Sequence, residues 1–181
     1  LTVITGANMA GKSTFLRSVG VNLVLANLGA PVCASSFRFK PMRVFSSMRT
    51  TDSLADGESY FFAELVRLEK LTRRLEAGES LFAMVDEMLK GTNSRDQHAG
   101  SLALARRMVE LQGNGLLATH DLDLGRLAEE LPGKVNNRCF EVFTEGDQMT
   151  FDYHLRNGIC QNLNATFLMR RMGIMPEQKK S

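Results

Sequence analysis

The chain has 181 residues, is 44% hydrophobic and 23% charged, and carries a formal net charge of +2, a composition that suits one ordinary globular domain with its own core. So small a charge, spread over dispersed Lys and Arg, gives no ground for a nucleic-acid or membrane-surface role. Cys33, Cys139 and Cys160 are odd in number and lack C-x-x-C spacing, so they suggest neither a disulfide framework nor a zinc site and fit buried thiols in a reducing cytoplasm.

Leu1-Thr2-Val3-Ile4-Thr5 is an apolar, β-branched run of strand length. Leu1 is not Met and already belongs to that strand, so the sequence reads as a piece of a longer polypeptide and the lack of a targeting segment says little. Gly6-Ala7-Asn8-Met9-Ala10-Gly11-Lys12-Ser13 follows at once and fits G-x-x-x-x-G-K-[ST] between a strand and a helix. In such a loop the backbone N–H groups point inward at phosphate oxygens. Gly6 and Gly11 allow backbone geometry that a Cβ would obstruct. Lys12 brings a compact positive charge, and the Ser13 hydroxyl can take a Mg²⁺ position at the start of a helix whose dipole favours anions. The competing reading is an accidental glycine-rich turn, which the two flanking elements disfavour.

Phe15, Leu16, Val19, Leu23 and Ala26 continue at helical spacing until Gly29-Ala30-Pro31. The apolar stretch from Val19 to Ala34 is broken by Asn22, Asn27, Gly29 and Pro31, too short and interrupted to span a bilayer. Phe37 to Lys40 alternates like a strand, Pro41 interrupts, and Val44 to Thr50 resumes one. The polar segment Thr51 to Ser59 leads into an amphipathic helix with Phe61, Phe62, Leu65, Leu68, Leu71 and Leu75 expected on its buried face and Gly78 at its close.

Ser80 to Val85 is continuously apolar, as a parallel strand covered on both faces should be, and Asp86-Glu87 follow it directly. An acidic pair after a strand is often a solvated loop or a helix cap. Following a phosphate loop, it suits Asp86 orienting Mg²⁺ and Glu87 polarising an attacking water, because ligands bind at that edge of an open α/β sheet. Asn93 or Ser94 can cap a helix running through Leu102, Leu104, Ala105, Met108, Val109 and Leu111 to Gly113. Gly115 to Thr119 is a further short strand, and it brings His120 to the edge expected for Asp86. His120 is read there as a contact to the γ-phosphate or the water, against the plainer reading of a capping or surface histidine. Asp121 or Asp123 can cap a helix from Leu122 to Leu131, ended by Pro132-Gly133. Cys139 to Phe143 and Met149 to Leu155 flank Glu145-Gly146-Asp147 as a β-hairpin placed at the sheet edge. His154 falls in that hairpin and His98 in a loop-helix region, neither with assigned chemistry. Arg156 to Cys160 reads as a connection, Ala165 to Met172 as a short helix, and residues 176–181 as a tail after a domain over 1–175. The expected fold class is therefore α/β: a P-loop NTPase with a mostly parallel sheet, helices on both faces and an antiparallel hairpin at the edge.

Four segments in this order resemble the C-terminal ATPase domain of the MutS family of DNA mismatch-repair proteins, within the ABC-type ATPases. They are Thr5 to Ser13 (T-G-A-N-M-A-G-K-S), Asp52 to Glu64 (D-S-L-A-D-G-E-S-Y-F-F-A-E), Val85 to Thr92 (V-D-E-M-L-K-G-T) and Ala118 to His120 (A-T-H). The resemblance implies ATP and Mg²⁺ as ligands. It implies a nucleotide site over Gly6, Ala7, Asn8, Met9, Ala10, Gly11, Lys12, Ser13 and Thr14, with Asn8 approaching the γ-phosphate. Lys12, Glu87 and His120 would be catalytic, with Ser13 and Asp86 at the metal. It also implies a homodimer or homologous partner sharing the site, with Gly57 and Ser59 of the Ser53 to Ser59 segment reaching a nucleotide in trans and Asn93 to Asp96 communicating across the boundary. Read without the family, Ser53 to Ser59 is only a capped helix start. DNA would be contacted through domains outside this chain, and a membrane not by this chain at all.

The family usually has Ser-Thr-Phe where this chain has Ser59-Tyr60-Phe61, and Asp-Glu-Ile-Gly-Arg-Gly-Thr where it has Asp86-Glu87-Met88-Leu89-Lys90-Gly91-Thr92. Those variants keep the acids and leave the subfamily open, including a relative that does not act on mismatches. Three other functions compete. A transporter-type ATPase would carry Leu-Ser-Gly-Gly-Gln in place of Leu54-Ala55-Asp56-Gly57-Glu58-Ser59. A nucleotide-dependent dimerisation switch would not need Glu87 and His120. A small-molecule kinase would need a basic lid that the sequence does not show.

Overall fold

The computed structural model describes residues 1–48, 60–145, 148–161, 169–170 and 172–176. β1 (Thr2–Gly6) leads through a tight loop into α1 (Lys12–Asn27), and β2 (Arg43–Ser47) precedes α2 (Tyr60–Glu76). β3 (Leu81–Asp86), α3 (Ser94–Glu110) and β4 (Asn114–Thr119) follow. A 3-10 turn (Leu122–Arg126) runs on into α4 (Leu127–Glu130), and β5 (Asn136–Glu145) and β6 (Gln148–Asn157) close the order.

The described strands form one six-stranded sheet in the order β2-β3-β4-β1-β5-β6. All neighbours are parallel except β5 and β6, so the α/β architecture with an antiparallel edge pair is the expected one. Alternation along the strands sends successive side chains to opposite faces. Val3, Ala83, Val85 and Leu117 join Leu68, Leu71, Leu75, Ala105, Met108 and Leu124 on the side of α2 and α3. Ile4, Met84 and Ala118 join Leu16 of α1, with Phe140 and Val142 from β5, on the other. Both faces of the central strands are thereby covered, which is why they read as unbroken apolar runs.

Several local expectations resolve or change. Asn93 rather than Ser94 caps α3, its side chain accepting from Asp96 N at 3.0 Å. Asp121 rather than Asp123 caps the segment after β4, accepting from Asp123 N at 3.0 Å. That segment is not one helix over Leu122 to Leu131, because it begins as a 3-10 turn and only its last residues are α-helical. Phe37 to Lys40 forms no strand. Pro41 lacks an N–H and biases the residue before it, and the Phe37 and Phe39 rings pack on each other at 5.8 Å instead of flanking a ladder. On α2 the buried face carries Leu68, Leu71 and Leu75, whereas Phe62 and Leu65 are exposed, since they are rotated off the stripe at 100° per residue. The hairpin is longer than expected and takes in Arg156 and Asn157. The segment Ser53 to Ser59, with Gly57 and Ser59, and most of the expected helix over Ala165 to Met172 lie outside the described residues. Among the described residues no helix is long and apolar enough to cross a membrane.

Candidate active site

The loop after β1 is anchored by its alanines. Ala7 and Ala10 are buried in the core beside α1, while Asn8 and Met9 form the exposed tip, Met9 with φ +70°. Gly6 pairs with Phe140 of β5, and a Cβ at Gly6 would come within 2.9 Å of the Phe140 carbonyl oxygen. Gly11 has φ +102°, a region that favours glycine, and stands under the Tyr153 ring. α1 therefore starts with no side-chain cap and no acidic residue in its first turn. Its first N–H groups are left for another acceptor, and the dipole adds to the preference for an anion.

Lys12 is almost wholly buried, and its Nζ donates to Gly6 O at 2.7 Å and Ala7 O at 2.9 Å. Burial pushes its ammonium below the ordinary lysine value, with the negative charge of Asp86 opposing. A cavity of about 450 Å³ opens above it, lined by Asn8, Met9, Gly11, Lys12, Ser13, Thr14, Asp86, Glu87, Lys90 and Tyr153. The predicted residues of the loop and of the acidic pair are thus brought to one place, the C-terminal edge of β1 and β3.

Asp86 ends β3, and its Oδ1 is buried without a hydrogen-bond partner. Asp86 and Ser13 line the same cavity, and an orphaned carboxylate oxygen together with a hydroxyl is a donor set a hard cation takes, so the two residues fit Mg²⁺. Glu87 has φ +52° and a side chain only 9% exposed. Its carboxylate lies 3.7 Å from Lys12 Nζ, in an ion pair with Lys90, and 3.8 Å from His120 Nδ1. Burial lowers the His120 pKa below the usual 6.5, and the positive charges of Lys12 and Lys90 push the same way. The negative charge of Asp121 opposes them, and the balance favours the neutral imidazole. His120 reaches Glu87 from a neighbouring cavity of about 280 Å³ that it lines with His98 and Asp121, which are bonded to each other at 2.6 Å.

Two residues at the main cavity were not legible as such in the sequence. Lys90 stands where the resembling family has Arg, and in the fold it is ion-paired with Glu87. Tyr153 is the other. Between the pairs Phe140–Leu155 and Val142–Phe151, β6 carries more residues than β5, and Tyr153 sits in that irregular stretch with φ +56°. Asp152 secures it by accepting from Arg156 at 2.5 and 3.0 Å and from His154 N at 3.0 Å, which holds its carboxyl well below the usual range. Tyr153, with Gly11 and Thr14, also lines a second cavity of about 440 Å³ that Phe15, Ser18 and Phe140 complete. A larger cavity of about 860 Å³ lies at the far edge beside β2, where Arg43 and Arg74 are both spent on Glu79. It holds none of the groups just described.

The family model of MutS domain V matches residues 2–178. The chain belongs to the MutS domain V family. Among its relatives, the DNA mismatch repair protein MutS of Natronomonas pharaonis is 36% identical over 163 residues, which is 89% of this chain and 19% of the relative. The protein of the same name from Thermotoga neapolitana is 32% identical over 160 residues, 88% of this chain and 20% of the relative. That of Persephonella marina is 29% identical over 174 residues, 95% and 20% respectively. The chain thus spans about a fifth of the length of the MutS proteins it matches.

Proposed function

We propose that this chain is the ATP-binding and ATP-hydrolysing domain of a MutS-type DNA mismatch repair protein, acting in the cytoplasm as one half of a dimer that closes around ATP. The observation that carries the reading is the convergence of Lys12, from the loop after β1, and Glu87, from the end of β3, on one cavity with a 3.7 Å gap between them. A cation and a carboxylate lining one cavity are the two charges that phosphoryl transfer to water requires. Retention of that carboxylate favours an enzyme over a switch that only binds nucleotide.

The triphosphate lies along the Gly6 to Thr14 loop, its oxygens replacing Gly6 O and Ala7 O as partners of Lys12. The open N–H groups of α1 take phosphate oxygens, and Asn8 at the loop tip reaches the γ-phosphate. Tyr153 flanks the phosphates and gives the base or ribose an aromatic wall toward Phe15 and Phe140. Ser13 and Asp86 would hold Mg²⁺, which when bound would supply Lewis-acid neutralisation of phosphate charge. Glu87 accepts a proton from the attacking water, and neutral His120 steadies that water or the γ-phosphate from the adjoining cavity. Gly57 and Ser59 serve the nucleotide of the partner subunit, so that ATP favours the closed dimer and hydrolysis releases it. DNA is held by other parts of the full-length protein.

ATP turnover per chain, measured on the full-length protein across a range of protein concentrations, tests the shared site. Turnover that rises with concentration agrees with a site completed by a second subunit. A constant rate from a protein shown to be monomeric means that one chain carries the whole site, and the dimer mechanism falls.

A further inference from the structure

The turn Asp86-Glu87-Met88-Leu89 departs from ordinary backbone geometry twice, with φ +52° at Glu87 and φ +58° at Leu89. Neither residue is glycine, and non-glycine residues held in this region are strained and persist only where the surroundings over-determine them. Three elements supply that determination. Glu87 N donates to Ala118 O of β4 at 2.8 Å. Leu89 N donates to Glu64 Oε1 of α2 at 2.7 Å, a buried bond between residues 25 apart in sequence. Met88 O accepts from Gln97 Nε2 of α3 at 2.8 Å. The Met88 and Leu89 side chains are buried in the core between the same two helices.

Glu64 is out of place in a purely structural account of α2. It is a carboxylate 7% exposed on the apolar face of the helix, and its second oxygen, Oε2, is buried without a hydrogen-bond partner. Burying an ionisable group in that state is costly, and its one described hydrogen bond goes to the turn that carries Glu87. Gln97 spends its amide on the residue between Glu87 and Leu89. The two side chains grip one peptide unit, the Met88 carbonyl and the Leu89 N–H, from different helices.

We propose that Glu64 and Gln97 are positioning residues for Glu87: together they fix the backbone of the turn so that the carboxylate points into the cavity beside Lys12. The role rests on the reading of Glu87 as the base. It makes hydrolysis depend on where α2 and α3 sit, because a shift of either helix withdraws a hydrogen bond from the turn. Nucleotide binding does not depend on it, since neither side chain lines the main cavity and Gln97 borders only the adjoining one that His120 lines.

The test compares Glu64→Ala, Glu64→Gln and Gln97→Ala in the full-length protein, each alone, and Gln97→Ala also combined with Glu87→Gln. Turnover of Mg-ATP is measured alongside equilibrium binding of a non-hydrolysable ATP analogue. Misplacing a reacting group by an ångström costs up to about 100-fold. The expected result is a kcat lowered about 10- to 100-fold in Glu64→Ala and Gln97→Ala, with KM and analogue affinity unchanged. Glu64→Gln, which keeps an acceptor for Leu89 N, restores most of the rate. In the Glu87→Gln background Gln97→Ala adds nothing, because there is no carboxylate left to position. Wild-type kcat in a folded Gln97→Ala, or an equal further loss on top of Glu87→Gln, overturns the positioning role, and Gln97→Ala decides the matter even if Glu64→Ala fails to fold. Wild-type turnover by Glu87→Gln alone is a different failure, which removes the base and the positioning role with it.

Discussion

The Lys12 ammonium and the Glu87 carboxylate stand 3.7 Å apart although they arrive from strands that are not neighbours, β1 and β3, with β4 between them. Both side chains are less than a tenth exposed. Two opposite charges at the C-terminal edge of a parallel sheet, on a loop and a turn that both depart from regular geometry, fit the proposed site better than they fit a surface ion pair.

Lys12→Ala should remove the donor shared by Gly6 O and Ala7 O and, with nucleotide present, the side-chain charge on the phosphates. A hydrogen bond to a charged group contributes about 1.5–3 kcal/mol. ATP affinity measured by calorimetry should therefore fall about 10- to 100-fold. Unchanged affinity would mean that the phosphates lie elsewhere.

Gly11→Ala should fail for two reasons that act together. The φ of +102° is one that an L side chain rarely adopts, and the new Cβ would stand 2.9 Å from Tyr153 Cδ1. The expected cost is about 1–2 kcal/mol in a urea titration, together with weaker nucleotide binding because Tyr153 must move. A variant as stable as the wild type that binds ATP equally well would contradict the placement of Tyr153 over the loop.

The site was legible in part because its chemistry is local in sequence. Lys12 and Ser13 sit within one short motif, Asp86 and Glu87 end an unbroken apolar strand, and His120 ends another. The sheet order then brings those strand ends together. Tyr153 was not legible, since its position depends on extra residues in β6 relative to β5 and on a positive φ, neither of which leaves a mark on hydrophobic periodicity. The grip of Glu64 on Leu89 was hidden in the same way, because one polar residue on an apolar helix face gives no sign of its partner 25 residues later. Phe37 to Lys40 shows the opposite error: alternation marks a strand only where another strand is there to pair with it.

The pH dependence of His120 has a definite sign. Burial and the charges of Lys12 and Lys90 lower its pKa in the folded protein, so the unfolded chain binds this proton first as pH falls. The stability tied to neutral His120 is complete above about 6.5 and is lost as pH drops through the lower folded value. The denaturation midpoint of wild type relative to His120→Gln should fall on acidification below that point. A midpoint that instead rises there relative to His120→Gln would contradict the assignment.

The cysteines should separate by reactivity. Cys33 is exposed, while Cys139 and Cys160 are buried. Burial, reinforced by the charge and hydrogen bond of Glu141, pushes the Cys139 thiol up to about 11. Alkylation of the native protein near pH 8, followed by peptide mapping, should label Cys33 well ahead of the other two, and all three after denaturation. Equal labelling of Cys139 in the native state would contradict its burial.

The most direct measurement is a comparison of wild type with Glu87→Gln in the full-length protein, with ATP binding and single-turnover hydrolysis followed on the same samples. Loss of a general base typically costs about 10²- to 10⁴-fold. The account predicts ATP affinity close to wild type, hydrolysis slowed by about that factor, and a longer-lived dimer in the presence of ATP. Hydrolysis at the wild-type rate would show that Glu87 is not the base, and the mechanism built on its approach to Lys12 would fail.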